Sequence, residues 1–242
     1  MTKVFRASLL ISLTGALLCS TNAFAKEIKF EINDPKGRDN VSFTSNAPIE
    51  VINGHTSKIT GTIAIDDSLN LTKQPIAAEF DVDLASIDTG ITLRNEHMRD
   101  NFLETKKFPK ATFKLKSIST GAGVLKDGQK LNLKATGDLT VHGKTVQKEV
   151  PIEVTYFKQC PSTDGKFKNC DLIQINSTFP VPFKDHDIKR PEVVFQKLAD
   201  TVFLTINATA HREASAAAPT SPATKAGSES ETKPATKPAT TK

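Results

Sequence analysis

Strict alternation of apolar and polar residues is the feature that most limits what this chain can become. In ATFKLKS, Ala111, Phe113 and Leu115 fall on one side while Thr112, Lys114 and Lys116 fall on the other. LNLKATGDLTVH repeats the pattern, with Leu131, Leu133, Ala135, Leu139 and Val141 set against Asn132, Lys134, Thr136, Asp138, Thr140 and His142. EFDVDL places Phe80, Val82 and Leu84 opposite Glu79, Asp81 and Asp83, and KEVPIEVTY and TVFLTINATA continue the theme. A period of two makes each segment a strand with one dry and one wet face, and such strands pair antiparallel over a single core. Further strands are expected at 27–33, 39–44, 48–54, 58–66 and 171–179. The fold class is therefore all-β. The strands are long, and the aromatic set is 14 Phe with one Tyr and no Trp. Both points favour a closed antiparallel barrel over a sandwich, since closure removes the edges and about eight strands can enclose one ligand.

The two ends do not belong to this pattern. Residues 1–25 carry Lys3 and Arg6, an apolar run from Ala7 to Leu18, and small residues at Ala23 and Ala25, which predicts a secretory leader cleaved before Lys26. Cys19 offers a lipidated alternative, but Leu18 stands where such a site wants a small residue. From about residue 212 the chain turns to Ala, Pro, Thr, Ser and Lys, too poor in large apolar groups to offset its entropy, and 212–242 is expected to be a disordered tail. That leaves 26–211 as one domain, exported to the periplasm or secreted. Of the formal +5, Lys3 and Arg6 belong to the leader and one net positive charge to the tail, leaving +2 on the body. A near-neutral body lacks the concentrated basic face that nucleic acid demands. Cys160 and Cys170, with no His beside them and no CxxC spacing, read most simply as one disulfide in an exported protein.

Residues 84–113 and 137–145 depart from plain strand chemistry. Thr89 is placed to cap a helix from about Ile91 to Leu103, whose stripe would hold Ile91, Arg94, Met98 and Phe102. Pro191 suits the first turn of a second short helix over 191–200. One or two such helices would cap the barrel. GDLTVHGKT, with Gly137 and Gly143, reads as a strand bend and a tight turn.

DLASIDTG, the stretch Arg94 to Arg99, FLETKKFPKATF and GDLTVHGKT together resemble the YceI-like proteins, closely over about 39–160 and loosely over the rest of 26–211. Asn95 stands where that family usually has Asp, Met98 where it has Leu, and Phe108 where it has Tyr. The resemblance implies an exported, elongated, lipocalin-like barrel whose lumen binds a polyisoprenoid or another long-chain amphiphilic lipid such as an isoprenoid quinone. It implies no other cofactor. A transient membrane contact during lipid exchange and a homodimer are both compatible with it.

Met98, Phe102, Leu103, Phe108, Phe113, Leu139 and Val141 are the candidate lumen lining, with ordinary core packing as the alternative for each. Arg94 either reaches an acidic partner, for which Asp138 is the candidate, or points at a ligand head group. His97 and His142 could join Asp138 or Glu96 around a metal, but hydrogen bonds pinning helix to barrel suit them better, with His97 on a flank away from the Met98 stripe. His55 and His186 read as lone loop histidines. The carboxylates of 79–83 lie on a wet face, and GxSxG and HExxH are absent, so catalysis is not expected. A lipid carrier leads. An envelope protein without a stable ligand and a lipid hydrolase are the alternatives.

Overall fold

The computed structural model describes residues 26–158, 171–190 and 196–212. The expected leader, the Cys160–Cys170 pair, residues 191–195 and the expected tail beyond Arg212 lie outside them. The strands are β1 (Glu27–Ile32), β2 (Asn40–Asn46), β3 (Val51–Thr56), β4 (Ile59–Asp66), β5 (Ile76–Asp83), β6 (Lys110–Thr120), β7 (Lys130–Val141), β8 (Lys144–Phe157), β9 (Leu172–Pro182) and β10 (Thr201–Arg212). One short α-helix, α1 (Thr92–His97), precedes a wider π-type turn, Met98–Phe102.

All ten strands belong to one antiparallel sheet in the order β1-β4-β5-β6-β7-β8-β9-β10-β2-β3, closed by a pairing of β1 with β10. They make eight staves. β10 pairs with β2 through Val202–Asn207 and with β1 at His211 and Arg212, so β1 and β2 run end to end along the same edge. β4, the partner of β1, and β3, the partner of β2, run end to end in turn, interrupted only at Ser57 and Lys58. The result is a closed eight-stave antiparallel barrel, which leaves no long edge exposed.

Inside, the barrel is two different places. Towards the end that holds the β4–β5 and β6–β7 connections it is packed solid: Phe30, Ile32, Ile65, Ala135, Val150, Ile173 and Ala210 are almost fully buried. Towards the other end the inward residues Phe80, Val82, Ala111, Phe113, Leu204 and Ile206 are only half-buried, although they obey the same alternation. They face a void. The wet face follows the alternation too: Lys114 meets Glu79 at 3.2 Å, Lys110 meets Asp81 at 2.9 Å, and Lys134 meets Glu149 at 3.1 Å across neighbouring strands. Exposed pairs of this kind contribute little each, but they keep the outer surface polar.

The hollow end is closed by the segments between strands. β7 turns into β8 through His142 and Gly143, both at positive φ (52° and 73°), the backbone of a tight two-residue hairpin. The β9–β10 connection differs from expectation. Residues 196–200 form a turn and bend rather than the end of a helix. Their backbone groups are engaged elsewhere, with Ser45 Oγ accepting from the Ala199 N–H at 2.9 Å and the Leu198 carbonyl accepting from Arg190 at 2.7 Å.

Candidate functional site: an apolar lumen

The void is a cavity of about 470 Å³. Its wall comes from alternate residues of the staves: Phe80 and Val82 on β5, Ala111 and Phe113 on β6, Leu139 and Val141 on β7, Phe179 and Val181 on β9, and Val202, Leu204 and Ile206 on β10. Ile91, Leu93, Met98, Phe102 and Leu103 close it from the helical segment. Six of the seven residues proposed from the sequence as lining thus stand together around one space. Phe108 does not. Its ring packs edge-on against His142 with centroids 4.8 Å apart, the Lys107 ammonium lies 4.8 Å from its centroid, and a Cβ at Gly143 would come within 2.3 Å of it. It fastens the helical segment to the β7–β8 hairpin instead of facing the lumen.

The polar residues of the SIDTG and Arg94–Arg99 stretches hold the start of this lid. Asn95 is buried, and its Oδ1 accepts from the Thr89 N–H (2.9 Å) and the Thr89 hydroxyl (2.7 Å) while its amide donates to Asp88 at 2.6 Å. The Gly90 N–H and that Asn95 amide hold the Asp88 carboxyl below its ordinary pKa. Asp88 also exchanges backbone hydrogen bonds with His55 on β3, so the network is tied to the barrel wall. Thr89 therefore serves Asn95 rather than capping the helix, and Ile91 occupies the N-cap without a side-chain bond.

Arg94 points to the cavity mouth, and its partner is Glu50, not Asp138. Nη1 donates to Glu50 at 2.7 Å, Nε to the Thr89 hydroxyl at 3.0 Å and Nη2 to the Thr89 carbonyl at 3.0 Å. Asp138 lies on the outer face, bound to Lys116 at 2.7 Å, because the alternation of β7 turns it away from the lumen. His97 lines the cavity rather than lying off its stripe, because it follows Arg94 by three residues in the same helix and so shares its face. His142 donates from Nδ1 to the His186 carbonyl at 3.2 Å and meets Glu104 at 2.7 Å through Nε2, a second fastening of lid to hairpin. Among the described residues, no three His, Cys, Asp or Glu side chains gather as a metal site.

Asn95→Ala removes three hydrogen bonds at a buried position and strands the Thr89 N–H. We expect a loss of about 2 kcal/mol in chemical denaturation, with faster amide exchange at Thr89; unchanged exchange there would mean that the network does not hold the lid.

His186 is a correction of a different kind. It is not a lone loop histidine but a buried one, 1% exposed, with Nδ1 donating to the Lys144 carbonyl at 3.1 Å. Burial pushes its pKa below the usual imidazole value, against the raising effect of that carbonyl and of Asp185, and Lys148 and Lys144 add to the lowering. The folded state thus prefers neutral His186, while the unfolded chain takes up a proton near pH 6.5. Stability from this group is complete above about pH 6.5 and falls as pH drops towards the depressed folded value, by at most about 1.4 kcal/mol per pH unit. His186→Asn should flatten that slope relative to the parent. Asp39, whose pKa burial raises, acts with the opposite sign in both proteins and cancels in the comparison.

Sequence reasoning named six of the residues that wall the cavity and did not name Glu50, Asn95, Glu104 or His186 as fasteners. The departure from Asp at position 95 was the one visible signal, because an amide can donate to Asp88 where a carboxylate cannot.

A closed antiparallel barrel, packed at one end and hollow and apolar at the other under a short helical lid, defines a container for an apolar molecule. A model of the YceI-like domain family matches residues 30–210, and the chain belongs to that family. Protein YceI of Escherichia coli O6:H1 is 38% identical over 102 residues, covering 41% of this chain and 46% of that one. The chain spans about half the length of the curated relatives it matches. Among solved structures, Burkholderia cenocepacia BcnA superposes with a TM-score of 0.55 at 20% identity, over 74% of this chain and 98% of that one. A polyisoprenoid-binding domain from Saccharophagus degradans, implicated in plant cell wall breakdown, superposes with a TM-score of 0.56 at 17% identity, over 76% and 98%. At such identities the likeness is one of fold.

Proposed function

We propose that this chain is an exported carrier that holds the tail of a long-chain amphiphile, of the polyisoprenoid or isoprenoid-quinone kind, in its lumen. One observation carries the reading: a cavity of about 470 Å³ walled by aliphatic and phenyl side chains and backed by a packed core. Its size suits a small-molecule site, and an apolar tail gains about 0.8 kcal/mol for each methylene it buries. The Saccharophagus degradans domain, named for polyisoprenoid binding on the same fold, supports the ligand class. Arg94, Glu50, His97 and Lys197 at the mouth supply the polar groups that would orient a head. The carboxylates of the outer wall are engaged in exposed ion pairs, which supports carriage over catalysis.

In this reading the leader sends the protein to the periplasm, and cargo passes across a rim where Ile49, Val51, Ile91 and Leu93 remain exposed. The test is mass spectrometry of the protein purified gently from its exported compartment, native and then after solvent extraction. A long-chain amphiphile in stoichiometric amount is expected. A clean unliganded mass, with no uptake of added quinone or polyprenyl lipid, would sink the reading.

A further inference from the structure

We infer that the outer face of β9, β10, β2 and β3 is a docking surface for an extended, uncharged glycan chain. It lies on the outside of the barrel, so the inference stands apart from the carrier reading. These four strands are neighbours in the sheet. β2, β3 and β9, and β10 up to its final Arg212, contain no Asp, Glu, Lys or Arg, in a chain that is 24% charged. The cross-strand ion pairs of the outer wall sit on β5 to β8 instead. Amides and hydroxyls take the place of charges. Asn40, Asn207 and Asn176 stand in one row across three strands, and Asn53, Thr44 and Phe203 in another. A groove of about 490 Å³ runs along β2 and β3, banked on its far side by Asp88, Thr89 and Gly90.

The chemistry of this face selects its occupant. Without cations it offers nothing to a polyanion. Phe203, 46% exposed, and Val51 at the rim are its only exposed large apolar side chains, too few for a lipid surface. A second copy of the chain fits poorly as well. The face measures about 20 Å each way, at ~3.3 Å per residue and ~4.8 Å per strand. That is about 400 Å² in outline, half of the about 800 Å² that a stable partner covers, and it is convex across the strands. A neutral sugar chain meets each condition. Amides and hydroxyls both donate and accept, as neighbouring sugar hydroxyls require. The Asp88 carboxylate accepts from hydroxyls and repels an acidic sugar. Phe203, paired with Thr44 beside the groove, offers its ring to the C–H side of a pyranose. The groove follows a strand and is straight, which suits an extended β-1,4-linked chain rather than a coiled α-1,4-linked one.

The experiment is titration of the isotopically labelled full protein with millimolar cellohexaose, chitohexaose and maltohexaose, read by amide chemical shifts. Cellohexaose or chitohexaose should shift amides of β2, β3 and β10, and maltohexaose should leave them in place. Phe203→Ala should weaken binding about tenfold, and Asn53→Ala should weaken it too, with the thermal transition and bound cargo as in the parent. No shift with either β-linked chain, or shifts confined to the lumen mouth, would overturn the inference. Equal shifts with maltohexaose, or unchanged affinity in both folded variants, would do the same. If these amides moved with protein concentration alone, a second copy would cover the face and the glycan assignment would fall. None of these outcomes touches cargo in the lumen, so the carrier reading survives each of them.

Discussion

Phe113→Asp should empty the lumen. Phe113 faces the cavity near the start of β6, opposite Phe80 on β5 and Leu139 on β7. A carboxylate there must either keep a shell of water in the space that a tail would fill or be stripped of it at a cost of several kcal/mol. At 1.4 kcal/mol per tenfold, a penalty of about 3 kcal/mol weakens binding at least a hundredfold. Cargo should therefore be missing from the purified protein by mass spectrometry. Because Phe113 also covers Gly137, loss of cargo alone could reflect a damaged wall, and Met98→Asp separates the two effects. Met98 sits on the lid, half-buried at the start of the wider turn, where no strand pairing depends on it. It should reduce retention while leaving the thermal transition of the barrel unchanged. Full cargo in a folded Met98→Asp and Phe113→Asp pair would mean that the tail lies elsewhere.

The strands were legible because their cause is local. A period of two is written into six or seven neighbouring residues, and β5, β6, β7 and β10 all follow it. The division of the barrel into a filled and a hollow half was not legible, since Ala135 and Val141 obey the same alternation and differ only in what the opposite staves bring to them. The helical segment was half legible. Its apolar spacing places Ile91, Arg94, Met98 and Phe102 around the cavity, but regular helix ends at His97 and a wider turn carries Met98 to Phe102, which the spacing alone does not reveal. Arg94 shows why partners are harder than faces. Glu50 is 44 residues away and arrives only because the β2–β3 turn reaches the mouth. Phe108 was misplaced for a related reason: an aromatic residue before a lumen strand looks like lining until the His142–Gly143 hairpin offers it a closer surface.

Gly137→Ala should markedly destabilise the barrel wall. Gly137 is buried on the inward face of β7, paired with Leu115 on β6 and Lys148 on β8. A Cβ there would stand 2.4 Å from Cζ of Phe113 and 2.6 Å from the Lys114 carbonyl oxygen. The ring can swing away, but the carbonyl belongs to the β6–β7 ladder and can move only if the strands part. Overpacking of this kind costs about 3 kcal/mol. The glycine is thus the slot that lets Phe113 lie flat against the wall, and the open lumen depends on it, since a displaced phenyl ring has nowhere to go but inward. Two consequences can be separated. Denaturation of Gly137→Ala measures the cost of the shifted strands, and adding Phe113→Ala should recover only the part owed to the ring. If the double variant regained full stability, the carbonyl contact would carry no weight. If Gly137→Ala alone were neutral, the slot itself would be an accident of packing, and the hollow half of the barrel would need another explanation.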